Sequence, residues 1–315
     1  MNHAPAANRG FIRYAYAVLV YDLFVILWGA WVRVTGSGAG CGDHWPSCNG
    51  EVIPRTFTTE RIIEFTHRVT SGLSIPISFA LVVWAFRIFP KGHRVRKATV
   101  VAILFLLAEA AIGALIVKRE LVNDNASIHR AVVMAIHLVN TFGLVAAAVL
   151  AAWWARPARP AADGEPGIGK WLLLSMGLLL LTGITGAITA LGDTLFPADV
   201  HLGAGMFERI AADLSPTMHF LIRLRIVHPA VAIITALLLA SVLVNAIGKR
   251  DAPPIMRSMA RYALAFVGIQ VCAGLINVWL AAPGWMQLIH LLLSDVLWIF
   301  VVLTWDSSRR VTARL

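Results

Sequence analysis

Eight runs of about twenty apolar residues, the length that carries an α-helix across hydrocarbon, succeed one another at 14–33, 62–86, 98–117, 128–154, 171–191, 219–246, 262–281 and 285–305. Polar and charged residues gather in the stretches between them. A membrane interior offers no water to unpaired backbone groups, so such a run crosses it as a helix, with its hydrogen bonds closed inside the segment. The pattern predicts an all-α integral membrane protein of eight transmembrane helices, with too little chain left for a separate soluble domain. Composition agrees. Of 315 residues 58% are hydrophobic and only 14% charged, and the mean hydropathy of +0.75 lies outside the soluble globular range.

The net charge of +10 would suit a nucleic-acid binder only if it formed one basic face. Instead Lys and Arg lie beside alternate apolar runs: Arg9 and Arg13, the Arg87 to Lys97 loop, Arg156 to Lys170, Lys249 to Arg261, and Arg309 to Arg314. The opposite loops hold fewer basic residues and more acids, among them Asp193, Asp199, Glu208 and Asp213. By the positive-inside rule this is a topology signal that puts both termini in the cytoplasm. Lipid is then the surrounding partner, and no nucleic acid is expected. The first run is too long for a signal-peptide core and no small-residue cleavage site follows it, so it is expected to stay as a helix. A bacterial inner membrane, crossed many times, is the expected location.

The Pro-, Gly- and charge-rich stretch 156–169 divides the runs four and four. We expect an N-terminal half at 1–155, a cytoplasmic linker at 156–169 and a C-terminal half at 170–315. An even number of spans in each half makes them parallel repeats. "AIHLVN" around His137 aligns with "LIHLLLSD" around His290, and "EAAIG" from Glu109 with "QVCAG" from Gln270. The expected fold is two four-helix bundles related by a pseudo-two-fold axis. Glu109 and Gln270 would then bond between helices or behind a site.

Four histidines lie inside the apolar runs: His67 in the second, His137 in the fourth, His228 in the sixth and His290 in the eighth. At about 1.5 Å of rise per residue all four fall in the outer half of the membrane. A four-helix bundle can bring side chains of non-adjacent helices face to face, which is what a bis-imidazole iron porphyrin needs. One such histidine alone is as readily a polar group bonded between helices; four at matched depth in a repeat point to metal ligands. His129, two turns before His137 on nearly the same stripe, is the rival ligand in the first half.

The exported loop "WVRVTGSGAGCGDHWPSCNG", the "EFTHR" around His67 and the three further helix-embedded histidines together resemble the haem A synthase family of eight-helix membrane proteins. The resemblance covers nearly the whole chain, and its most specific parts are the run ending at Cys41 and the Glu-x-x-His-Arg of Glu64 to Arg68. It implies oxidation of a methyl group of haem O to the formyl group of haem A, the cofactor of terminal oxidases. It further implies that His67 and His137 flank the substrate haem and that His228 and His290 hold a resident haem b. The implied neighbours are the enzyme that makes haem O and oxidase assembly factors, with an electron-transfer partner the sequence does not name.

Glu64 lies three residues before His67 and so shares its helix face; a carboxylate there can move protons or trap a reactive substrate intermediate. The equivalent position before His228 is Arg225, suited to a haem propionate. Charge inside a membrane usually faces the protein interior, although pairing of Glu64 with Arg61 or Arg68 is the structural alternative. Cys41 and Cys48 share the exported loop, where an oxidising compartment favours a disulfide; a cycling thiol pair and a metal site with His44 are the other readings. A short amphipathic helix is expected around Phe207, Ile210 and Leu214. Two other functions fit the histidines: a bis-histidine diheme electron carrier without substrate chemistry, and a transporter moving protons or metal.

Overall fold

The computed structural model describes residues 9–157, 166–197, 211, 213–249 and 252–309. Most of the expected linker, and Phe207 and Ile210 of the expected amphipathic helix, lie outside them. Among the described residues the regular structure is helical, apart from an isolated bridge between Cys48 and Glu51. Eight helices are long and apolar enough to cross a membrane. They are α1 (Arg9–Val34), α2 (Thr59–Ile88), α3 (Arg94–Lys118), α4 (Ile128–Trp154), α5 (Pro166–Leu195), α6 (Phe220–Gly248), α7 (Pro254–Trp279) and α8 (Gly284–Ser308). The chain is a multi-pass membrane protein.

Most helices run past the apolar stretch that announces them, because the end turns carry charged residues that hydropathy excludes and helix geometry tolerates. Arg94 and Arg96 open α3, and Arg257 and Arg261 lie in the opening turns of α7. The starts of α2 and α3 are capped by side chains: Thr58 Oγ1 accepts the Arg61 N–H and His93 Nδ1 accepts the Val95 N–H. The seventh apolar run extends to 281, yet α7 stops at Trp279. Ala281 and Ala282 take φ of 58° and 54°, and the Ala282 N–H turns back to Asn277 O at 2.7 Å. That left-handed closure satisfies the last carbonyls and frees Pro283 to cap α8. In α6 the 3₁₀ turn Leu224–Ile226 comes just before Pro229. A proline has no N–H to offer the carbonyl four residues back and crowds it, so the helix tightens there.

The chain forms two compact units, 1–125 with 140–160, and 126–139 with 161–315. In the first, Phe11, Ala15 and Val18 of α1 pack with Leu81 and Ala85 of α2, Val95 of α3 and Ala152 of α4 into an apolar plug at one end. In the second, α5, α6, α7 and α8 form a ring of neighbours, α5 on α6, α6 on α7, α7 on α8 and α8 on α5. Leu172, Leu243, Met256, Ala260 and Val301 fill that ring at the end away from the histidines. Dense packing at one end leaves the other to polar side chains.

Candidate functional site

In the second unit α6 carries His228 and α8 carries His290, and the two imidazoles stand with centroids 6.4 Å apart and planes at 86°. His228 Nδ1 lies 3.2 Å from the carbonyl of Thr182 and 3.2 Å from Thr185 Oγ1, both on α5. A carbonyl only accepts, so Nδ1 carries the proton and the lone pair is left on Nε2. Each ring lies against a glycine. A Cβ on Gly186 of α5 would come within 3.0 Å of His228 Cε1, and one on Gly274 of α7 within 3.2 Å of His290 Cε1. These glycines let the helices close onto the rings.

The pair fits a metal held between two imidazoles. A metal–imidazole bond is about 2.0 Å and the ring centre lies about 1.1 Å beyond the nitrogen, so opposed ligands on one metal have centroids about 6.2 Å apart. His290 Nδ1 is buried without a hydrogen-bond partner among the described residues. The ring's Nε2 lies 3.3 Å from Gln270 Nε2, an amide that a metal at that nitrogen would displace, and the anchoring of His228 through its other nitrogen is the arrangement that fixes tautomer and orientation in metal-binding histidines.

In the first unit His67 of α2 meets α1 in the same way, with a Cβ on Gly29 falling 3.0 Å from His67 Cε1 and 3.1 Å from Nε2. His137 belongs to the stretch of α4 that clusters with the second unit.

Cys41 and Cys48 are joined in a disulfide, so neither offers a thiolate for a metal site with His44, which pairs instead with Asp43 at 3.0 Å. The loop they close lies on the first turns of α2. A Cβ on Gly40 would meet the Glu60 and Arg61 backbone at 2.6–2.7 Å, so only glycine fits. Buried Glu64 takes part in the same contact. Its Oε2 accepts the Cys41 N–H at 2.8 Å, and its Oε1 accepts from Arg68 Nε at 3.1 Å and Nη2 at 2.5 Å. Arg68 also donates to the carbonyls of His44 and Ser47. Both carboxylate oxygens are thus engaged, and Arg68 is the charge partner.

Arg225 is held at the end of α5. Its Nε lies 2.8 Å from Asp193 Oδ1 and its Nη1 3.7 Å from Asp213 Oδ1, and Nη2 donates to Gly192 O at 3.0 Å and to Phe196 O. Two carboxylates already answer its charge.

The sequence reading passed over Thr182, Thr185 and the three glycines. A threonine or glycine in an apolar helix is ordinary, and the signal was the repeat itself, which pairs the stretches opening at Gly29 and Gly186 and closes "QVCAG" on Gly274. Gln270 was picked out by the repeat; its contact with His290 was not.

Comparison with known proteins places these residues in context. A family model, COX15-CtaA, described as cytochrome oxidase assembly protein, matches residues 12–302. A Thermus thermophilus protein named protoheme IX farnesyltransferase is 45% identical over 99% of this chain, which spans about half of that relative's length. Heme A synthases from Lysinibacillus sphaericus and Geobacillus kaustophilus are each 41% identical, over 107 and 101 residues. Those matches cover 34% and 32% of this chain and 35% and 32% of theirs.

Proposed function

The chain belongs to the COX15-CtaA family, and we propose from that membership and the geometry of the histidines that it is a haem A synthase, oxidising a methyl group of haem O to the formyl group of haem A. The observation that carries the proposal is the His228 and His290 pair, whose 6.4 Å spacing suits a single iron between them. Such a site calls for a tetrapyrrole, and two of the heme A synthases resemble this chain at 41% identity.

In this reading His228 and His290 hold a resident haem b, which supplies one-electron transfer when bound. The substrate haem is taken by the first half, with His67 and His137 as its ligands. Gly29 supports that assignment, since the ring of His67 is seated as His228 is. Written with water, a methyl group and one H2O give a formyl group, four protons and four electrons, so the substrate site needs a proton acceptor as well as an external electron acceptor. Glu64 is the carboxylate on the face of His67, and Arg68 balances its charge while it waits. Protonation would weaken its bonds to Arg68 and to the Cys41 amide, which couples the acceptor to the disulfide loop. We assign Arg225, one turn before His228, to a haem propionate, which would share it with Asp193.

The Thermus relatives' name denotes farnesyl transfer to protohaem IX, and this chain matches half of their length. We read that reaction as the one that supplies the farnesylated substrate, and so take the enzyme making haem O as a neighbour, together with oxidase assembly factors and an electron acceptor. We further propose a bacterial inner membrane and cytoplasmic termini.

The test is to extract porphyrins after expression with and without a supply of haem O and to identify them by mass. Haem A that forms only with the intact protein, and is lost in Glu64→Ala, is the expected result. Two equivalents of haem b and no haem A under either condition would replace this proposal with a diheme electron carrier.

A further inference from the structure

Gln270 and Glu109 open matching stretches of the sequence that end at Gly274 and Gly113, yet the two side chains are used differently. In the second unit Gln270 Nε2 lies 3.3 Å from His290 Nε2 and donates to the His290 carbonyl at 3.1 Å. In the first, Glu109 Oε1 accepts from Asn140 Nδ2 at 2.6 Å and from Thr141 Oγ1 at 3.0 Å, and Asn140 Nδ2 also donates to Phe105 O at 2.9 Å.

The cause is legible in the neighbouring helices. Asn140 and Thr141 follow His137 by three and four residues; the same positions after His290 are Leu293 and Ser294. Leu293 has no polar group, and Ser294 Oγ turns back to Leu291 O at 2.8 Å on its own helix. These positions on α8 offer the Gln270 carboxamide no partner, so it rests on the histidine. Two atoms of this contact remain unpaired among the described residues: Gln270 Oε1, an acceptor, and His290 Nδ1, the second ring nitrogen. They are complementary, and they sit on side chains already touching.

We propose that Gln270 is a positioning residue for His290: a metal taking Nε2 would displace the carboxamide from that edge of the ring, and its oxygen would then accept the hydrogen bond of Nδ1–H, so that ring plane and basicity are set together. The inference rests on the reading that His228 and His290 hold a haem. It gives the second site a ligand fixed on both sides, His228 by Thr182 and His290 by Gln270, as suits a centre that passes electrons without releasing its ligands. An acceptor on the far N–H makes an imidazole a stronger donor and favours ferric iron; removing it raises the reduction potential.

The test uses purified full-length protein carrying its haem. Gln270→Met, of similar length and without an acceptor of comparable strength, is expected to keep the haem, to shift its midpoint potential upward and to alter its low-spin ferric electron paramagnetic resonance spectrum. Gln270→Glu, which keeps an oxygen at the same reach, is expected to return the potential to or below the wild-type value. Loss of the haem in Gln270→Met with retention in Gln270→Glu would also support the assignment. Wild-type potential and spectrum in Gln270→Met would overturn it. His290→Ala separates the two levels: if that variant keeps both haems with unchanged spectra, the haem site itself is wrongly placed, whereas its loss of one haem beside a silent Gln270→Met rejects only the role of Gln270.

Discussion

The carboxylate of Glu64 accepts the backbone N–H of Cys41 at 2.8 Å, so a residue one turn before His67 is fastened to the disulfide-closed loop. Arg68, one turn later, holds Glu64 and reaches the carbonyls of His44 and Ser47. The loop, the carboxylate and the histidine face of α2 therefore shift together or not at all. Neither Glu64 nor Arg68 is well solvated, with side chains 4% and 10% exposed, and removing one member of such a pair strands the other.

Glu64→Ala is expected to destabilise the protein by about 3 kcal/mol, the low end for breaking a buried ion pair. Adding Arg68→Met should recover part of that loss, since the stranded charge goes with it. Thermal unfolding in detergent measures both, and a double variant less stable than Glu64→Ala would reject the pairing as the cause.

Cys41→Ser with Cys48→Ser should cost roughly 2 to 3 kcal/mol, the chain-entropy value for so short a loop. Because the loop is also fastened through Glu64, haem A formation should fall more steeply than stability does. Thermal midpoint and porphyrin yield, measured on the same preparation, check this; equal proportional losses would show the disulfide to be a brace without influence on the site.

Gly186→Val puts carbon where His228 Cε1 stands, at 3.0 Å from the new Cβ. The ring must leave its bond to Thr182, and we expect loss of the haem held by the second unit, read as halved haem per protein. Gly177→Ala on the same helix, where a Cβ meets nothing within 4 Å, should leave haem content unchanged.

Arg225→Leu removes the cation that Asp193 and Asp213 share. The side chains involved are 13–29% exposed, so the cost should be about 1–3 kcal/mol, below that of a fully buried pair. Adding Asp193→Asn should restore part of it. Unfolding of the three variants decides this, and a Leu variant as stable as wild type would show the pair to be idle.

His93 accepts the Val95 N–H and stacks on Phe89 at 4.6 Å. Burial, then the neighbouring Arg94 and Arg96, push its pKa below the ordinary 6.5. The folded state therefore binds fewer protons than the unfolded chain between its lowered value and 6.5. This cap contributes fully above 6.5 and is lost as pH falls through the folded pKa. Amide exchange at Val95 should quicken on acidification through that window, and His93→Gln should remove the dependence.

All eight spans were legible as apolar runs, because a membrane demands length and hydropathy from each segment separately. Their ends were not, because Arg94, Arg257 and their like belong to the helix without belonging to the run. The break after Trp279 came from backbone turning at Ala281 and Ala282, residues with no bias toward a left-handed conformation. Candidate ligands could be named from the sequence, since an imidazole in a hydrocarbon segment is costly unless it is used. What each ring touches could not, since Thr182 lies 46 residues from His228.

The order of residues was enough to determine the class, the spans and which histidines stand inside them as candidates, since these follow from what one segment costs to place in lipid. Only the tertiary structure decided that His228 donates its Nδ1–H hydrogen bond to the Thr182 carbonyl, that Gln270 reaches His290 while Glu109 goes to Asn140, and that Glu64 fastens the disulfide loop. Those choices depend on which helices lie side by side and at what rotation, and packing settles that between segments far apart in the chain.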